Sequence, residues 1–430
     1  MIYNDSKYNI EWDVKTLNQL GKFTRGKSKH RPRNDKKLFV NGKYPLIQTG
    51  EIRAANLFVR NHTDMYNDFG LKQSKLWPKN TLCITIAANI AETALLGYPM
   101  CFPDSVVGFN AYPNESSEIF MHYVFTYIKK AIQNSASGSI QDNINVEFLT
   151  TLNFRVPKKE YQDKIVAILS SFDSKIELNN CINAELEAMA KTLYDYWFVQ
   201  FDFPDAKGKP YKTSGGKMVW NEELKREVPV GWEVKSLNEI ADLKAGGDKP
   251  KIYSEIQTDT NRIPIYSNGI TNDGLYGFTN EARILKPSIT ISARGTIGYC
   301  VLRNKPFVPI IRLIVVAPNK SYEANFLYER IKSLKFENSG SVQQQLTVPQ
   351  ISGLKFVMPT SQILMKYDAM ISSGMNKIES NKEENQQLSQ LRDWLLPMLM
   401  NGQVTVKVME EESLSMVAEP VVPYGKKKVN

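Results

Sequence analysis

An internal repeat that covers most of the chain constrains its fold more than any other feature. The stretch WDVKTLN at residues 12–18 recurs as WEVKSLN at 232–238. The stretch SGSIQ at 137–141 recurs as SGSVQ at 339–343, and from there to Phe198 the copies align without a gap at an offset of 202 residues. A unit of about 200 residues is much longer than a solenoid repeat, so each copy is a domain with a connector. Two copies related by a pseudo-twofold axis suit a target with two half-sites.

Length, charge and cysteine usage limit the class of protein. A chain of 430 residues is too long for one core, so two or three domains are expected. The net charge of +9 favours a polyanionic partner such as nucleic acid. The four cysteines form no CxxC pair, which predicts a reducing compartment. With no leader pattern and no run of 18 apolar residues, the sequence predicts a cytoplasmic protein that does not contact a membrane.

The globular part of each copy has the pattern of an α+β fold, with mixed helices and strands. Short apolar runs alternate with turn residues, and strands are predicted at 82–88 and 289–293. Amphipathic helices are predicted at 119–132 and 322–334. We expect the same mixed architecture in both copies.

Two long helices are predicted where each copy ends. Residues 160–198 and 362–400 are nearly free of proline and glycine and carry apolar side chains at heptad spacing. Each helix would be about 55 Å long and cannot bury its apolar stripe alone. The pseudo-twofold axis predicts that the two helices pair as an antiparallel coiled coil.

The heptad pattern assigns two core positions to each helix. One contains Ile165, Phe172, Asn179, Leu186 and Leu193 in the first helix and Tyr367, Gly374, Asn381, Leu388 and Leu395 in the second. The other contains Ile168, Lys175, Ile182, Met189 and Tyr196 in the first helix and Met370, Lys377, Glu384, Leu391 and Met398 in the second. Asn179 and Asn381 occupy matching positions, where each either fixes the register of the pair or faces solvent.

These patterns divide the chain into six segments. The globular domains are assigned to 1–157 and 232–359, the helices to 158–203 and 360–400, a turn-rich linker to 204–231, and a disordered tail to 401–430.

The sequence offers no recognisable catalytic apparatus. It lacks a GxxxxGK[ST] phosphate loop and the Asn/Asp-Pro-Pro-aromatic tetrapeptide of an amino-methylating enzyme. His30, His62 and His122 are too dispersed for a zinc cluster or a triad. Asp205 and Glu223 have the residue types of a metal-dependent nuclease but lie in the predicted linker. We therefore predict no catalytic residue and no metal site.

Basic and polar loops are the candidate sites for DNA contact. After the first strand of each copy, positive side chains suited to phosphate contact are Lys22, Arg25, Lys27, Lys29, Arg31 and Arg33 in the first copy and Lys244, Lys249 and Lys251 in the second. A second loop follows the predicted strand 289–293 and adds Arg294, Gly295, Thr296 and Gly298. Its counterpart in the first copy carries Asn89 and no glycine. A shared scaffold with different loop chemistry is expected to contact different bases.

Four motifs carry a resemblance to a known family. They are PVGWE at 229–233, WF followed by FDFP within 197–204, PYKTSGG at 210–216 and LRDWLL at 391–396. With them, residues 1–405 resemble the DNA-specificity subunit of type I restriction–modification systems. The first copy lacks the Pro-x-Gly before Trp12 and the glycines of its second loop, which leaves its DNA-contacting residues open.

The resemblance implies two target-recognition domains, each contacting one half of a gapped sequence in double-stranded DNA. The paired helices would be the spacer and would dock two methyltransferase subunits, which two restriction (motor) subunits join. It also implies a bacterial or archaeal subunit with no cofactor of its own, because S-adenosylmethionine, ATP and Mg²⁺ would be bound by the partner subunits. Three alternatives stay open: a coiled-coil scaffold without a DNA role, a single-chain modification enzyme, and a silent allele of a phase-variable locus.

Overall fold

The computed structural model describes residues 2–137, 144, 146–336 and 345–406. The chain divides into two units, which are Met1–Asn180 with Lys382–Asn430 (unit 1) and Cys181–Asn381 (unit 2). Most of the SGSIQ repeat and the part of the predicted tail beyond residue 406 lie outside the described residues. Within those residues, no helix is both long enough and apolar enough to cross a membrane.

The first copy of the repeat has the mixed architecture that its sequence predicts. Its strands are β1 (Asp13–Thr16), β2 (Gly21–Arg25), β3 (Tyr44–Leu46), β4 (Phe58–Val59), β5 (Asp64–Tyr66), β6 (Leu76–Trp77), β7 (Leu82–Thr85), β8 (Thr93–Leu96), β9 (Met100–Cys101), β10 (Val106–Ala111) and β11 (Asn153–Val156). Its helices are α1 (Leu17–Leu20), α2 (Thr49–Ala54), α3 (Asp68–Lys72), α4 (Glu118–Ser137), α5 (Val146–Thr151) and α6 (Lys159–Tyr194), which a π turn at Asp195–Val199 follows. The strands form a five-stranded sheet in the order β2-β10-β7-β8-β4, a four-stranded sheet in the order β5-β3-β9-β6, and the pair β1-β11.

The second copy repeats the main features of this framework. Its strands are β12 (Met218–Asn221), β13 (Arg226–Pro229), β14 (Glu233–Ser236), β15 (Ala241–Ala245), β16 (Ile263–Tyr266), β17 (Leu275–Thr279), β18 (Ser288–Ile291), β19 (Cys300–Arg303), β20 (Val308–Pro309), β21 (Ile314–Pro318) and β22 (Lys355–Met358). Its helices are α7 (Leu237–Ile240), α8 (Ala324–Lys332), α9 (Val348–Ser352) and α10 (Ser361–Met400). The sheet β15-β21-β18-β19 corresponds to the order β2-β10-β7-β8, and the pair β14-β22 corresponds to β1-β11.

The opening shared by the two copies folds the same way in each because both sequences encode a capping box. In α1, the Gln19 side chain accepts a hydrogen bond from the Thr16 N–H at 2.8 Å. In α7, the Glu239 carboxylate accepts one from the Ser236 N–H at 2.6 Å. This Ser/Thr-x-x-Glu/Gln spacing satisfies a backbone donor that the helix start would otherwise leave unpaired.

Strand alternation divides the core of unit 1 between the two faces of its five-stranded sheet. On β10, Val107 and Phe109 pack with α4 in the main core. Val106, on the opposite face, packs with Trp77 and Phe102. Successive side chains of a strand point to opposite faces, so the face that carries Trp77 is the one that α4 leaves uncovered.

The two long helices pair antiparallel within each unit. In unit 1, Asp173 of α6 accepts a hydrogen bond from Arg392 of α10, and Asn179 of α6 donates one to Asn385 of α10. The second contact lies six residues later on α6 and seven residues earlier on α10, so the helices run in opposite directions. In unit 2, Asn381 donates to Asn183, and the Tyr367 hydroxyl donates to the Ala190 carbonyl. Antiparallel pairing is the geometry that the repeat predicts.

Burial differs between the two predicted heptad positions. Ile165, Asn179 and Asn381 are fully buried, so neither asparagine faces solvent. Tyr367 of that position is also fully buried. Its remaining members, all half-buried, are Phe172, Leu186, Leu193, Gly374, Leu388 and Leu395.

The second predicted heptad position is wrong by one residue. Its members Met189, Tyr196, Met370 and Leu391 have 66%, 37%, 59% and 46% of their surface exposed. The buried side chains lie one position later, as Leu169, Ile176, Asn183, Ala190 and Trp197 show on the first helix. From Ile165 the apolar stripe advances by four residues, not three, and the error propagates through each heptad.

The predicted linker also contains regular structure. Within 204–231, β12 and β13 form an antiparallel hairpin in which Met218 lies opposite Pro229. Val228 is buried, while Trp220 has 53% of its surface exposed.

Candidate nucleic-acid interface

The six basic residues predicted in the first copy lie on β2 and the loop that follows it. All six side chains are exposed; they are Lys22, Arg25, Lys27, Lys29, Arg31 and Arg33. The structure separates them into arginines that share one acidic residue and lysines that do not.

Asp104, in the loop between β9 and β10, holds the three arginines. Its carboxylate lies 2.7 Å from Arg33 Nη2 and 3.8 Å from Arg31 Nη2. The Arg25 guanidinium donates to the Asp104 backbone carbonyl. Arg31 also donates to the Ser28 carbonyl at 2.6 Å. The Asp104 carboxylate therefore orients two guanidinium groups and its backbone carbonyl a third, which leaves excess positive charge on the surface.

The lysines lie near a fourth lysine that sequence reasoning missed. Lys75 precedes β6, and its ammonium group lies 3.6 Å from the centroid of the Trp77 ring. Burial and then the positive charges of Lys27 and Lys22 lower the pKa of Lys75. The sequence gives no local signal for this neighbourhood, because Lys75 is far along the chain from the other two.

Gln73 attaches the basic loop to the segment that carries Lys75. Its side-chain oxygen accepts hydrogen bonds from the Lys29 N–H at 2.7 Å and the His30 N–H at 3.1 Å. The His30 ring is in turn bonded to Asp35 at 2.8 Å. The Lys37 N–H, and then the His30 side chain, lower the pKa of the Asp35 carboxyl. The loop backbone is therefore fixed beside residues 73–75.

The loop between β7 and β8 contains Asn89 and has the backbone of a glycine loop without glycine. The Ala91 N–H donates to the Thr85 carbonyl at 2.9 Å, and Ala88 and Ala91 have φ values of 65° and 59°. The Asn89 side-chain oxygen accepts a hydrogen bond from Arg53 at 3.1 Å. Alanine seldom adopts this left-handed conformation.

The corresponding loop of the second copy has the same hydrogen bonds and uses glycine. The Gly298 N–H donates to the Ser292 carbonyl at 2.9 Å, and Gly295 and Gly298 have φ values of 70° and 85°. Between them Thr296 takes the position that Asn89 has in the first copy. Arg294, which precedes Gly295 in this loop, donates to Gln345 Oε1 through Nε at 3.1 Å and through Nη2 at 2.7 Å. The missing glycines of the first copy therefore do not mark a different loop structure.

Asn268 joins two loops of unit 2. Its Nδ2 donates to the Ile311 carbonyl at 2.6 Å, and its Oδ1 accepts from the Ala293 N–H at 2.7 Å. Ile311 and Arg312 are both exposed and have φ values of 53° and 63°. Consecutive non-glycine residues in this region are strained, and such strain is concentrated at functional sites. Sequence reasoning missed Arg312 because a left-handed arginine has no sequence signature.

Among the predicted lysines of the second copy, Lys249 has a defined aromatic environment. Its ammonium group lies 3.7 Å from the Tyr253 ring centroid and 5.7 Å from that of Tyr276. The Tyr253 hydroxyl, the largest influence, raises the pKa of Lys249. Lys244 and Lys251 are exposed, and in the described part of the chain no side-chain contact joins either to the Arg294 loop. The structure thus groups Lys249 with exposed tyrosines and not with the other two lysines.

The histidines and acidic residues considered in the sequence have structural surroundings. His62 bonds the Tyr98 hydroxyl at 2.6 Å, and His122 bonds Thr93 Oγ1 at 3.0 Å. Asp205 caps a local turn by accepting from the Lys207 N–H at 2.7 Å, while Glu223 forms an ion pair with Lys355. Across the residues that the structure describes, no three or more His, Cys, Asp or Glu side chains are arranged to hold a metal ion.

Comparisons with known proteins agree with this architecture. The family model described as type I restriction modification DNA specificity domain matches residues 9–188 and 229–391. The type I restriction enzyme MjaIX specificity subunit of Methanocaldococcus jannaschii is 24% identical over 425 residues, which cover 92% of this chain and 94% of that protein. The HindI specificity subunit of Haemophilus influenzae is 26% identical over 357 residues, with 68% and 75% covered.

A solved structure has the same fold. The crystal structure of the type I restriction–modification system S subunit from M. genitalium superposes with a TM-score of 0.57 at 20% identity, and covers 93% of this chain and 99% of that one. Two family matches fall on the two copies of the repeat, and together they include well over half of the sequence. The chain therefore belongs to the family of DNA-specificity subunits of type I restriction–modification systems.

Proposed function

We propose that this chain gives a type I restriction–modification complex its sequence specificity by binding a gapped, two-part sequence in double-stranded DNA. The observation that carries the proposal is that the loop between β7 and β8 and the loop between β18 and β19, which we call the recognition loops, have the same backbone and different side chains. At corresponding positions, Asn89 in the first copy is replaced by Thr296 in the second. Side chains on a common scaffold can therefore contact different base edges in each half-site.

The charged loops would supply affinity that does not depend on sequence. The lysines and arginines on β2 and in the loop that follows it, together with Lys249 in the second copy, are exposed. Phosphate contacts orient a protein on the duplex and make its affinity fall with salt. Base contacts provide specificity, because each mismatched base pair in the site costs about 1–3 kcal/mol of binding free energy. Each recognition domain would combine the two kinds of contact.

The paired helices would set the gap between the half-sites and dock the partner subunits. The α6 helix has 36 residues and α10 has 40, which makes each long enough to act as a spacer. Two methyltransferase subunits would bind this chain, and two restriction subunits would join them. The chain would bind no cofactor, since S-adenosylmethionine, ATP and Mg²⁺ would be held by these partners in the cytoplasm.

The test is genome-wide mapping of N6-methyladenine in host cells with and without this gene, with the partner genes left intact. Loss of one gapped, two-part motif on deletion is the expected result, and it would identify the recognised sequence. An unchanged set of methylated sites would contradict the proposal. Salt-dependent binding of duplex DNA by the assembled complex would then separate a silent allele, which binds, from a scaffold, which does not.

A further inference from the structure

The face of the five-stranded sheet opposite α4 carries a concentration of lysine charge. In the antiparallel pair β2-β10, Lys22 lies opposite Asn110 and Thr24 lies opposite Gly108. Paired residues project to the same face of a sheet. A Cβ atom built at Gly108 would lie 2.7 Å from Trp77 Cζ3, so the Trp77 ring lies against Gly108 on this face. Lys22 and the ring that supports Lys75 are therefore on the same side of the sheet.

The loop after β2 brings a third lysine to this face. The two hydrogen bonds from Gln73 hold the backbone at Lys29 and His30 beside residues 73–75. Lys27 lies in that loop and, like Lys22, acts on the ammonium group of Lys75. No ion pair joins Lys22, Lys27 or Lys75 to an acidic side chain in the described part of the chain. By contrast, the arginines nearby share Asp104.

Uncompensated positive charge at this density favours an anionic ligand. Each lysine raises the free energy of its neighbours' charged forms, and an anion between them removes that repulsion. The Trp77 ring fixes Lys75 in place through a cation–π contact, which leaves less side-chain motion to lose on binding. A duplex offers closely spaced phosphates that several lysines can contact together.

We propose that Lys75, Lys22 and Lys27 form a phosphate-binding cluster through which the first recognition domain holds the DNA backbone. The assignment rests on the proposed function, because it takes DNA as the polyanion. It adds Lys75, which lies outside the basic loop, and it separates these lysines from the arginines that Asp104 orients. The cluster contributes affinity and orientation, and base discrimination comes from other residues.

The test measures the salt dependence of DNA binding by the complex of the full chain with its methyltransferase subunits. Two duplexes of equal length are used, one with the methylated motif and one with that motif scrambled. Loss of one phosphate contact in Lys75→Gln should reduce the slope of log K against log[salt] by about 0.9 on both duplexes. When salt is raised from 50 to 200 mM, the affinity of each complex falls by some factor. For the variant, this factor should be about 3.5 times smaller than for the unaltered complex. The preference for the motif should stay the same.

Two further variants separate charge from structure. Lys75→Arg keeps the charge and should keep the slope of log K against log[salt]. A general packing defect at Trp77 would instead lower the affinity and leave that slope unchanged. Lys130→Gln is the matched control, because Lys130 is exposed on α4, which covers the opposite face of the sheet. An unchanged slope in Lys75→Gln, or an equal decrease in Lys130→Gln, would overturn the cluster. If the unaltered complex showed no preference for the motif, that result would contradict the proposed function instead. The slope measured on the scrambled duplex would still test the role of Lys75.

Discussion

Apolar packing joins the helix pair to its globular domain in both units, and to it unit 1 adds a buried polar group whereas unit 2 adds a cluster of aromatic rings. In unit 1, the Asp173 carboxylate on α6 is only 2% exposed. It accepts hydrogen bonds from Arg392 at 2.5 Å, from the Tyr123 hydroxyl at 2.6 Å and from Asn56 at 3.2 Å. We call this group the polar junction. It joins both helices to α4 and to the segment after α2.

In unit 2, the helix pair contacts the globular domain through a cluster of rings around Phe198, in the π turn that follows α6. The Phe198 ring centroid lies 4.8 Å from that of Phe326, 4.9 Å from Tyr367, 5.4 Å from Tyr194 and 6.0 Å from Trp232. We call this group the aromatic junction. The rings meet at steep or tilted angles, which are favourable for aromatic pairs.

The difference shows that one repeated fold can be held together by unlike interactions. The aromatic junction depends on buried area and shape, so its members contribute largely through packing. The polar junction depends on every partner being present, because a buried charge that loses its partner is costly. The two units should therefore respond differently to truncation, to paired replacement and to pH.

Truncation of the aromatic junction is expected to have the largest effect. Phe198→Ala should lower the free energy of unfolding of unit 2 by roughly 4 kcal/mol, because it removes a buried ring and leaves a cavity. Peptide-resolved hydrogen exchange of α8 and β18 would measure the loss. Val199→Ala is the control, since Val199 is 52% exposed and should change little. Unit 1 should keep its protection, and an equal loss there would contradict separate junctions.

The polar junction should lose slightly less on truncation, and the loss should be recoverable. Asp173→Ala is expected to cost roughly 3 kcal/mol in unit 1, because Arg392 and Tyr123 lose their acceptor. The cost is moderated by Asp393, whose carboxylate lies 2.9 Å from Arg392 Nη2. Replacing both charges with apolar residues, Asp173→Leu with Arg392→Met, should recover most of it. A double variant as unstable as Asp173→Ala in hydrogen exchange of α4 would show that the pair does not act as a unit.

Acid should act on the two units with opposite sign. Burial lowers the pKa of His122, which faces Asp173 and Arg392, to about 4. Below the ordinary histidine pKa, the unfolded state therefore binds more protons than the folded state. The free energy of unfolding of unit 1 should fall by about 2 kcal/mol between pH 8 and pH 5. In unit 2, burial raises the pKa of Glu329. Its contribution to stability is present below the ordinary glutamate pKa and lost as pH rises through the raised value, so acid should stabilise unit 2.

The check on this prediction is hydrogen exchange at both pH values, corrected for the intrinsic rate. His122→Gln should flatten the pH dependence of unit 1, and Glu329→Gln should flatten that of unit 2. The same sign of response in both units, with these variants unchanged, would show that other groups govern the pH dependence.

The recognition loops should show the smallest stability differences. Ala88→Gly should stabilise unit 1 by about 0.5–1 kcal/mol, because it relieves a left-handed alanine at the cost of some chain entropy. Gly295→Ala should destabilise unit 2 by about 1 kcal/mol through the backbone alone, because no atom lies within 4 Å of the added Cβ. Thermal unfolding of each variant would measure both shifts. Shifts of the same sign would mean that the two loops are not equivalent.

The repeat, the mixed fold and the helix pair could be predicted because each leaves a regular pattern in the sequence. The hairpin of β12 and β13 lies in a segment that the sequence predicts to be a linker, because its apolar residues are few beside the turn residues around it. The phase of the heptads was missed because a stripe that advances by three or by four residues looks similar over one turn.

The candidate interface was predictable only where its residues are neighbours along the chain. Lys22 and Lys27 stand out in a basic run, whereas Lys75 reaches them only through the packing of Trp77 on Gly108. Asp104 has no sequence signal as a partner of three arginines. The left-handed alanines of the β7–β8 loop are also invisible, since tertiary hydrogen bonds impose a conformation that alanine disfavours.

The most direct test of the account is an exchange of residues 232–357 for the matching domain of another family member, followed by mapping of N6-methyladenine. If each copy of the repeat contacts its own half-site, one half of the methylated motif should change, and the other half and the gap should stay the same. Simultaneous change of both halves, or an unchanged motif in cells that still methylate, would contradict the claim that the two copies recognise DNA independently.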